Sequence, residues 1–400
     1  MKDIKKDFPL LNTKINNRDL IYFDNAATSQ KPQAVIDALS HYYAAQNSTI
    51  HRAVYAFGEQ ATTLYEKSRA TVAAFINADV DEVVFTKGAT ESINAVANGW
   101  ALENIKKDDE ILLTQMEHHA NLLPWQQIAL KTGSILKFVP VRVDGTLDMS
   151  SLDQLITKKT KLVSCVHISN ALGTLNDIKT ITKKAHAAGA RVLIDAAQSI
   201  AHVAIDVKKI NCDFLAFSGH KMMGPTGIGV LYIKKDLHNQ MQPYEFGGGM
   251  VYEVDFTHAT WLKAPHKFEA GTPPIAQAIG LAAAVDYLKK HVPFEKLQKH
   301  EASLCAALIA GLQKNKKIRI LGPIEQLKTH GHLVSFVVDG MHAHDVATFL
   351  SNQGICVRAG HHCAQPLAQV MNIQASLRAS FYAYNTLEEV EKFLEVITLL

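Results

Sequence analysis

The sequence is short of cysteine: five in all, at positions 165, 212, 305, 356 and 363, with no C-x-x-C pair among them. An odd count in a long chain suits reduced thiols rather than a disulfide framework, and points to a cytoplasmic protein. Apolar runs long enough to span a membrane are also missing. The first residues, Met1-Lys2-Asp3-Ile4-Lys5-Lys6-Asp7-Phe8, mix both charge signs and lack the apolar segment of a signal peptide. There is little excess charge, since 41 basic residues face 38 acidic ones. A balance of +3 gives no case for nucleic acid or a membrane surface as partner. The dinucleotide fingerprint G-x-G-x-x-G is absent as well: Gly227-Ile228-Gly229 continues to Tyr232 where the last glycine should stand, and no P-loop occurs. What remains is an ordinary globular composition in 400 residues, enough chain for two or three domains with ample core.

Within that chain, Phe217-Ser218-Gly219-His220-Lys221-Met222-Met223-Gly224-Pro225-Thr226-Gly227-Ile228-Gly229 stands out. It joins the apolar run ending at Phe217 to a second run, Val230-Leu231-Tyr232-Ile233, so Lys221 is held in a tight turn between two strands. Glycines there permit turning and close approach of a flat ligand. A lone lysine in a loop is usually only a solvated one, but strands and helices alternate along the chain before it. Strands at 83–85, 110–114, 135–141, 162–166 and 191–195 alternate with helices at 57–76, 92–102 and 178–188, preceded by one at 32–45. This implies a largely parallel sheet covered on both faces, with ligands beyond the carboxyl ends of its strands. Thr90, His118, Asn170, Asp195 and Lys221 all fall at such ends. His51 and Arg52 lie in a loop and stay undecided between surface and site.

These strand ends match the needs of pyridoxal phosphate: an amine for the aldehyde, a carboxylate for the ring nitrogen and a helix start for the phosphate. Asp195 follows three apolar residues, so it should be desolvated and in need of a cationic partner. Thr86-Lys87-Gly88-Ala89-Thr90 is either a phosphate cradle or a helix plainly capped by Thr90. Residues 272–290 read as one long helix that could link domains. Strands at 333–338, 355–358 and 376–381 follow it in the order β-α-β-β-α of a smaller α+β domain. Arg358-Ala359-Gly360-His361-His362-Cys363 places a cysteine outside any apolar run, beside an arginine and two histidines, where a reactive thiol is expected. A zinc site built from His118, His119, His342, His344, His361, His362 and Cys363 would lack the regular short ligand spacings of such sites.

Together the motifs resemble the SufS-type (group II) cysteine desulfurases of the aminotransferase class-V family, fold-type I pyridoxal-phosphate enzymes. The resemblance rests on Tyr22-Phe23-Asp24-Asn25-Ala26-Ala27, Glu117-His118-His119-Ala120-Asn121, Asp195-Ala196-Ala197-Gln198 and Ser218-Gly219-His220-Lys221. Phe268-Glu269-Ala270-Gly271-Thr272-Pro273 and the Cys363 stretch complete it. It implies an α/β fold with a large, mainly parallel sheet domain over residues 16–270, a linking helix over 271–290, and a small α+β domain formed by 1–15 and 291–400.

It further implies that Lys221 is the Schiff-base lysine and proton shuttle, that His118 stacks on the cofactor ring, and that Asp195 and Gln198 bind the ring nitrogen and phenolic oxygen. Ala89 (through its backbone), Thr90, Ser218 and His220 would hold the phosphate, with Thr272 joining from the second subunit of a homodimer. Asn170, Arg358 and Arg378 would surround the substrate carboxylate. Cys363 would take sulfur from L-cysteine as a persulfide and release L-alanine, supplying iron–sulfur cluster assembly. No metal ligand is implied. L-Selenocysteine is the alternative substrate within this scaffold, and a persulfide-carrying or metal-binding protein without catalysis is a third reading.

The chain departs from the pattern at Ala89, where many relatives have threonine, and at Pro274-Ile275-Ala276-Gln277, which puts the subunit-contact loop in doubt. The sulfur acceptor would be of SufE or SufU type. His344, just before Asp345, stands where relatives that use SufU place a histidine able to ligate its zinc, although a residue flanking a surface helix would read the same way.

Overall fold

Seven short runs rich in Val, Ile, Leu and Phe form the central sheet, and four of them, Val83–Thr86, Glu110–Thr114, Phe214–Ser218 and Gly229–Ile233, are buried at every position. Strands buried on both faces need no polar alternation, which is why these segments read as continuous apolar runs. The computed structural model describes residues 4–400; Met1, Lys2 and Asp3, which belong to the segment 1–15 assigned above to the small domain, lie outside the described residues. Across the sheet the order is Val83–Thr86, Gly229–Ile233, Phe214–Ser218, Arg191–Asp195, Thr160–Val166, Glu110–Thr114, Ile135–Val139. Gly229–Ile233 runs antiparallel to both neighbours, and all other pairings are parallel.

Alternate residues of each strand supply opposite faces. Val83, Phe85, Val192, Ile194, Leu215 and Phe217 enter one core, while Val84, Leu193, Phe214 and Ala216 enter the other. The first core is covered by the long helices Ala56–Ile76 and Ile275–His291, which pack on each other. A third core joins Phe294–Leu312, Ala343–Asn352 and Leu387–Ile397 to a smaller antiparallel sheet.

That smaller sheet is ordered Ile318–Leu321, Leu333–Val338, Ser376–Ser380, Arg358–Gly360. Its first strand is absent from the sequence reading, because Ile318-Arg319-Ile320-Leu321 is short and only Leu321 is fully buried. The single strand expected over 355–358 divides in two. Ile355–Cys356 pairs in parallel with Ile21–Tyr22, and Arg358–Gly360 joins the small sheet. Smaller corrections concern boundaries: the helix expected from 92 begins at Ala89, and the one over 32–45 is α-helical only across Gln33–His41 before a wider turn. No helix among the described residues is long and apolar enough to cross a membrane.

Candidate active site

The carboxyl ends of the parallel strands open on a cavity of about 220 Å³. Thr90, His118, Asn170, Asp195, Gln198 and Lys221 line it, together with Ala89, Ser218 and His220. From the small sheet, Arg358, Arg378 and Cys363 reach the same space. Thr272 lies elsewhere, exposed just before the Ile275–His291 helix.

Lys221 ends the single helical turn Gly219–Lys221 between two antiparallel strands. The turn is tightly held. A side chain at Gly229 would put its Cβ 2.4 Å from Gly88 Cα and 2.7 Å from the Phe217 carbonyl oxygen, so only glycine allows this approach. Gly227, at φ +74°, relaxes the return of the loop. Burial lowers the Lys221 ammonium to about pKa 8, partly offset by Asp195 and deepened by Arg378. Asp195 is buried, and its Oδ1 accepts from the Ala197 N–H at 2.9 Å. Desolvation pushes this carboxyl above its ordinary value, against the pull of that N–H and of Lys221.

His118 precedes a short turn, and its Nδ1 accepts from the Ala120 N–H at 3.0 Å. The ring proton therefore belongs on Nε2. Burial, with Lys221 next in weight, lowers this imidazole to about pKa 4, so it is neutral at physiological pH. The Ala89 N–H, at the start of its helix, donates to Ser218 Oγ at 2.9 Å. Gly88, not Thr90, occupies the N-cap position, so the capping explanation of Thr90 fails and its exposed hydroxyl is left to the cavity.

Arg378 is buried. Its Nη1 donates to the Asn170 carbonyl at 2.7 Å and its Nη2 to Asp24 Oδ1 at 3.2 Å, while Asp24 Oδ2 lies 3.7 Å from Arg358. Arg378 Nε and Asn170 Oδ1 have no hydrogen-bond partner among the described residues. Buried polar atoms are seldom left so. Burial lowers the guanidinium to about pKa 10, still cationic at neutral pH.

The Cys363 loop is fixed to the large sheet from two sides. The His119 N–H donates to the Cys363 carbonyl at 2.8 Å, and Asn170 Nδ2 to the His362 carbonyl at 2.6 Å. His362 and Cys363 both hold left-handed backbone, at φ +53° and +55°. For non-glycine residues this persists only where the surroundings impose it. Cys363 is exposed, whereas Cys165, Cys212 and Cys305 are buried and Cys356 is intermediate.

These residues fit pyridoxal phosphate. The cavity offers an amine poised near neutrality, a buried carboxylate suited to a cationic ring nitrogen, a helix start with hydroxyl groups, and orphaned polar atoms where a carboxylate-bearing substrate would sit. Comparison with known proteins then decides the matter. Residues 21–393 match the model of the aminotransferase class-V family. The chain belongs to that family. A probable cysteine desulfurase of Synechocystis sp. is 49% identical over 98% of this chain and 93% of its own. A cysteine desulfurase of Haloferax volcanii is 45% identical, covering 98% and 95%. Among solved structures, the apo cysteine desulfurase of Thermococcus onnurineus NA1 superposes with TM-score 0.94 at 43% identity, covering 99% of this chain and 96% of that one. The cysteine desulfurase CsdA of Escherichia coli does so with TM-score 0.91 at 37% identity, over 99% and 96%.

For this class-V protein, sequence reading missed two members of the site. Asp24 joins both arginines, and its signal was its place in the Tyr22–Ala27 motif. Glu117 is buried next to His118, accepting from Asn121 Nδ2 at 2.6 Å and the Val166 N–H at 3.0 Å. Burial raises its carboxyl to about pKa 8. The four-residue spacing of Glu117 and Asn121 was the visible clue. Outside the site, His51, Glu66 and His266 bring ligand-type atoms within 4.8 Å of one another. Glu66 there contacts His51 at 2.9 Å and accepts from Arg69 Nε at 2.9 Å, so its carboxylate is already engaged by the arginine.

Proposed function

We propose that the protein is a pyridoxal-phosphate-dependent cysteine desulfurase that converts L-cysteine to L-alanine and keeps the sulfur as a persulfide on Cys363. The observation that carries this reading is the shared cavity: Lys221 and Asp195 from the large sheet and Cys363 from the small sheet line the same space. The cofactor, when bound, supplies an electron sink for charge developing at the substrate α-carbon.

The chain's own residues supply the rest. Lys221 would hold the cofactor aldehyde and move the α-proton, a task suited to an amine lowered to about pKa 8. His118 would lie against the cofactor ring and, neutral, would relay a proton through Nε2. Asp195 would hold the ring nitrogen and Gln198 the ring oxygen. Thr90, Ser218 and His220, at the helix start formed by Ala89, would hold the phosphate. Arg378, through its free Nε, and the second N–H of Asn170 grip the substrate carboxylate, with Arg358 at the rim. Cys363 Sγ attacks the substrate sulfur; the S–S bond forms as the Cβ–S bond breaks. The electron pair of the broken bond leaves with the carbon, which takes up a proton and departs as alanine.

The finer assignments belong to the same reading. The proposed division at 16–270, 271–290 and 291–400 with 1–15 rests on there being two separate sheets, with the helix Ile275–His291 between them in sequence. A homodimer would bring Thr272 of the partner subunit to the phosphate, in keeping with that residue's exposure in its own chain. The acceptor that collects the persulfide for iron–sulfur assembly, in the cytoplasm, is of SufU type. His342, whose Nδ1 accepts from the His344 N–H at 3.3 Å, takes the N-cap of its helix, so His344 is not needed for capping. Its Nε2 lies 4.0 Å from the point where a Gly360 Cβ would stand, three residues from Cys363.

The test is purification with pyridoxal phosphate followed by L-cysteine. A yellow protein that releases alanine and sulfide, and a Lys221→Ala variant that releases neither, supports the reading. A colourless protein without turnover, or Lys221→Ala activity within a few-fold of the parent, overturns it.

A further inference from the structure

Behind Gln198 lies a buried set of side chains that the catalytic reading leaves unused. Gln198 Nε2 donates to the Ala26 carbonyl at 2.8 Å, and its Oε1 lies 3.4 Å from His332 Nε2. The His332 ring stacks on His202, with centroids 3.8 Å apart and planes at 26°. His202 Nδ1 is 2.8 Å from Glu301 Oε1. His202, His332 and Glu301 are all at least nine-tenths buried. The set crosses the molecule: Gln198 and His202 follow a strand of the large sheet, His332 precedes Leu333–Val338 of the small sheet, and Glu301 lies on Phe294–Leu312.

Protonation follows from burial. Desolvation lowers His332 well below the ordinary imidazole range, with His202, Arg378 and Lys221 adding to the effect. It also lowers His202 to about pKa 3 and raises Glu301 well above the carboxylate range. Glu301 and His202 thus share one proton without net charge, and His332 is neutral. A neutral imidazole facing an amide oxygen through Nε2 carries its proton there. His332 Nδ1 has no partner among the described residues, which leaves the Gln198 contact as the hydrogen bond that its ring makes.

We propose that His332 is a positioning residue: held by its stack on the Glu301-bound His202, it donates to Gln198 Oε1 and so turns the amide's remaining N–H toward the cavity. This rests on the pyridoxal-phosphate reading, in which that N–H meets the ring oxygen of the cofactor. The consequence is specific, because a donor at that oxygen favours its anionic form and lowers the pH at which the visible band of the bound cofactor titrates. Loosening Gln198 weakens the donor. The charged groups facing the cavity, Lys221, Asp195, Arg358 and Arg378, are the same in every variant below.

The experiment is a spectrophotometric pH titration of the loaded enzyme. His332→Phe keeps the stacked ring and removes the donor. It should raise the band's midpoint by about half to one pH unit, the size of one modest hydrogen bond. His332→Gln, which can still donate, should return it toward the parent. In a Gln198→Leu background, His332→Phe should have no further effect. His332→Met gives the same loss of donor should the ring variant not fold. An unmoved midpoint in His332→Phe or His332→Met overturns the proposal, as does an equal shift with and without Gln198, which would make His332 structural only. A parent protein that shows no visible band would instead defeat the cofactor reading itself.

Discussion

The lysine makes a quantitative claim that can be tested before any turnover. Only the neutral amine attacks an aldehyde, so the rate at which cofactor-free protein takes up pyridoxal phosphate should follow the neutral fraction of Lys221. Burial in the folded chain holds that group at about pKa 8. At pH 7 about one amine in ten is then neutral, against about one in three thousand for a lysine near 10.5. The sign is fixed by the direction of the shift: uptake rises with pH, and because the pKa is lowered, it levels off early. Between pH 7 and pH 9 the rate should climb about tenfold and flatten, whereas an ordinary lysine would give about a hundredfold rise with no plateau. His118 and His220, both lowered to about pKa 4, do not titrate in this window. Stopped-flow absorbance on mixing cofactor with the cofactor-free protein reads the rate directly. Asp195→Asn should move the inflection to lower pH, because the Asp195 charge is what pulls the lysine back upward, while weakening retention of the cofactor. A rate still rising tenfold per unit at pH 9 would refute the reasoning that burial tunes Lys221.

Cys363→Ser should retain bound cofactor yet release no sulfur from L-cysteine, because a serine oxygen cannot accept it; loss of the visible band would make the thiol structural. Gly229→Ala should cost roughly 2 kcal/mol in chemical denaturation, since its Cβ meets backbone rather than a yielding side chain. The same variant should weaken cofactor binding by displacing Gly88 from Ser218, and unchanged stability would contradict the close approach. Zinc-loaded SufU should stimulate the parent but not His344→Ala, and equal stimulation of both would remove His344 from the transfer.

The strands were legible wherever both faces are buried. Glu110–Thr114 and Leu333–Val338 are found where the apolar runs placed them, and Asp195 is desolvated as its neighbours required. Ile318–Leu321 was not legible, because it is only four residues long, lies at the edge of its sheet and buries Leu321 alone. The division of residues 355–360 between two sheets was hidden for a related reason: it depends on Ile21–Tyr22, more than three hundred residues earlier in the sequence, arriving alongside. At the site, chemistry-bearing residues at strand ends could be collected from the sequence. Asp24 and Glu117 could not, since their roles lie in what they touch. One bridges two arginines that follow it by more than three hundred residues, and the other ties Asn121 to Val166. His332 escaped notice entirely, because a lone histidine before a strand has no pattern of its own.

The contacts between the sheets also bear on how sulfur leaves. A reactive cysteine on a mobile loop can carry its sulfur to a waiting partner, but Cys363 is not so placed. Its carbonyl is bound by the His119 N–H and that of His362 by Asn170, while His362 Nε2 lies 3.0 Å from Ser376 Oγ. The helix Gln365–Val370 begins two residues later, and the Gln365 N–H donates to His119 Nε2 at 3.2 Å. Swinging Cys363 outward would break at least the His119 and Asn170 bonds and free two residues from imposed left-handed backbone, so the fixed loop is the stable state. On the proposed reading, sulfur held on this cysteine would therefore stay beside the cavity, and its acceptor would have to bring a thiol to it. The exposure of Cys363 and the nearness of His344 to Gly360 lie on that approach. If so, lengthening the loop with two glycines after Cys363 should raise persulfide reduction by a small thiol while lowering transfer to the protein acceptor. Equal changes in both would mean that loop rigidity has no part in choosing the acceptor.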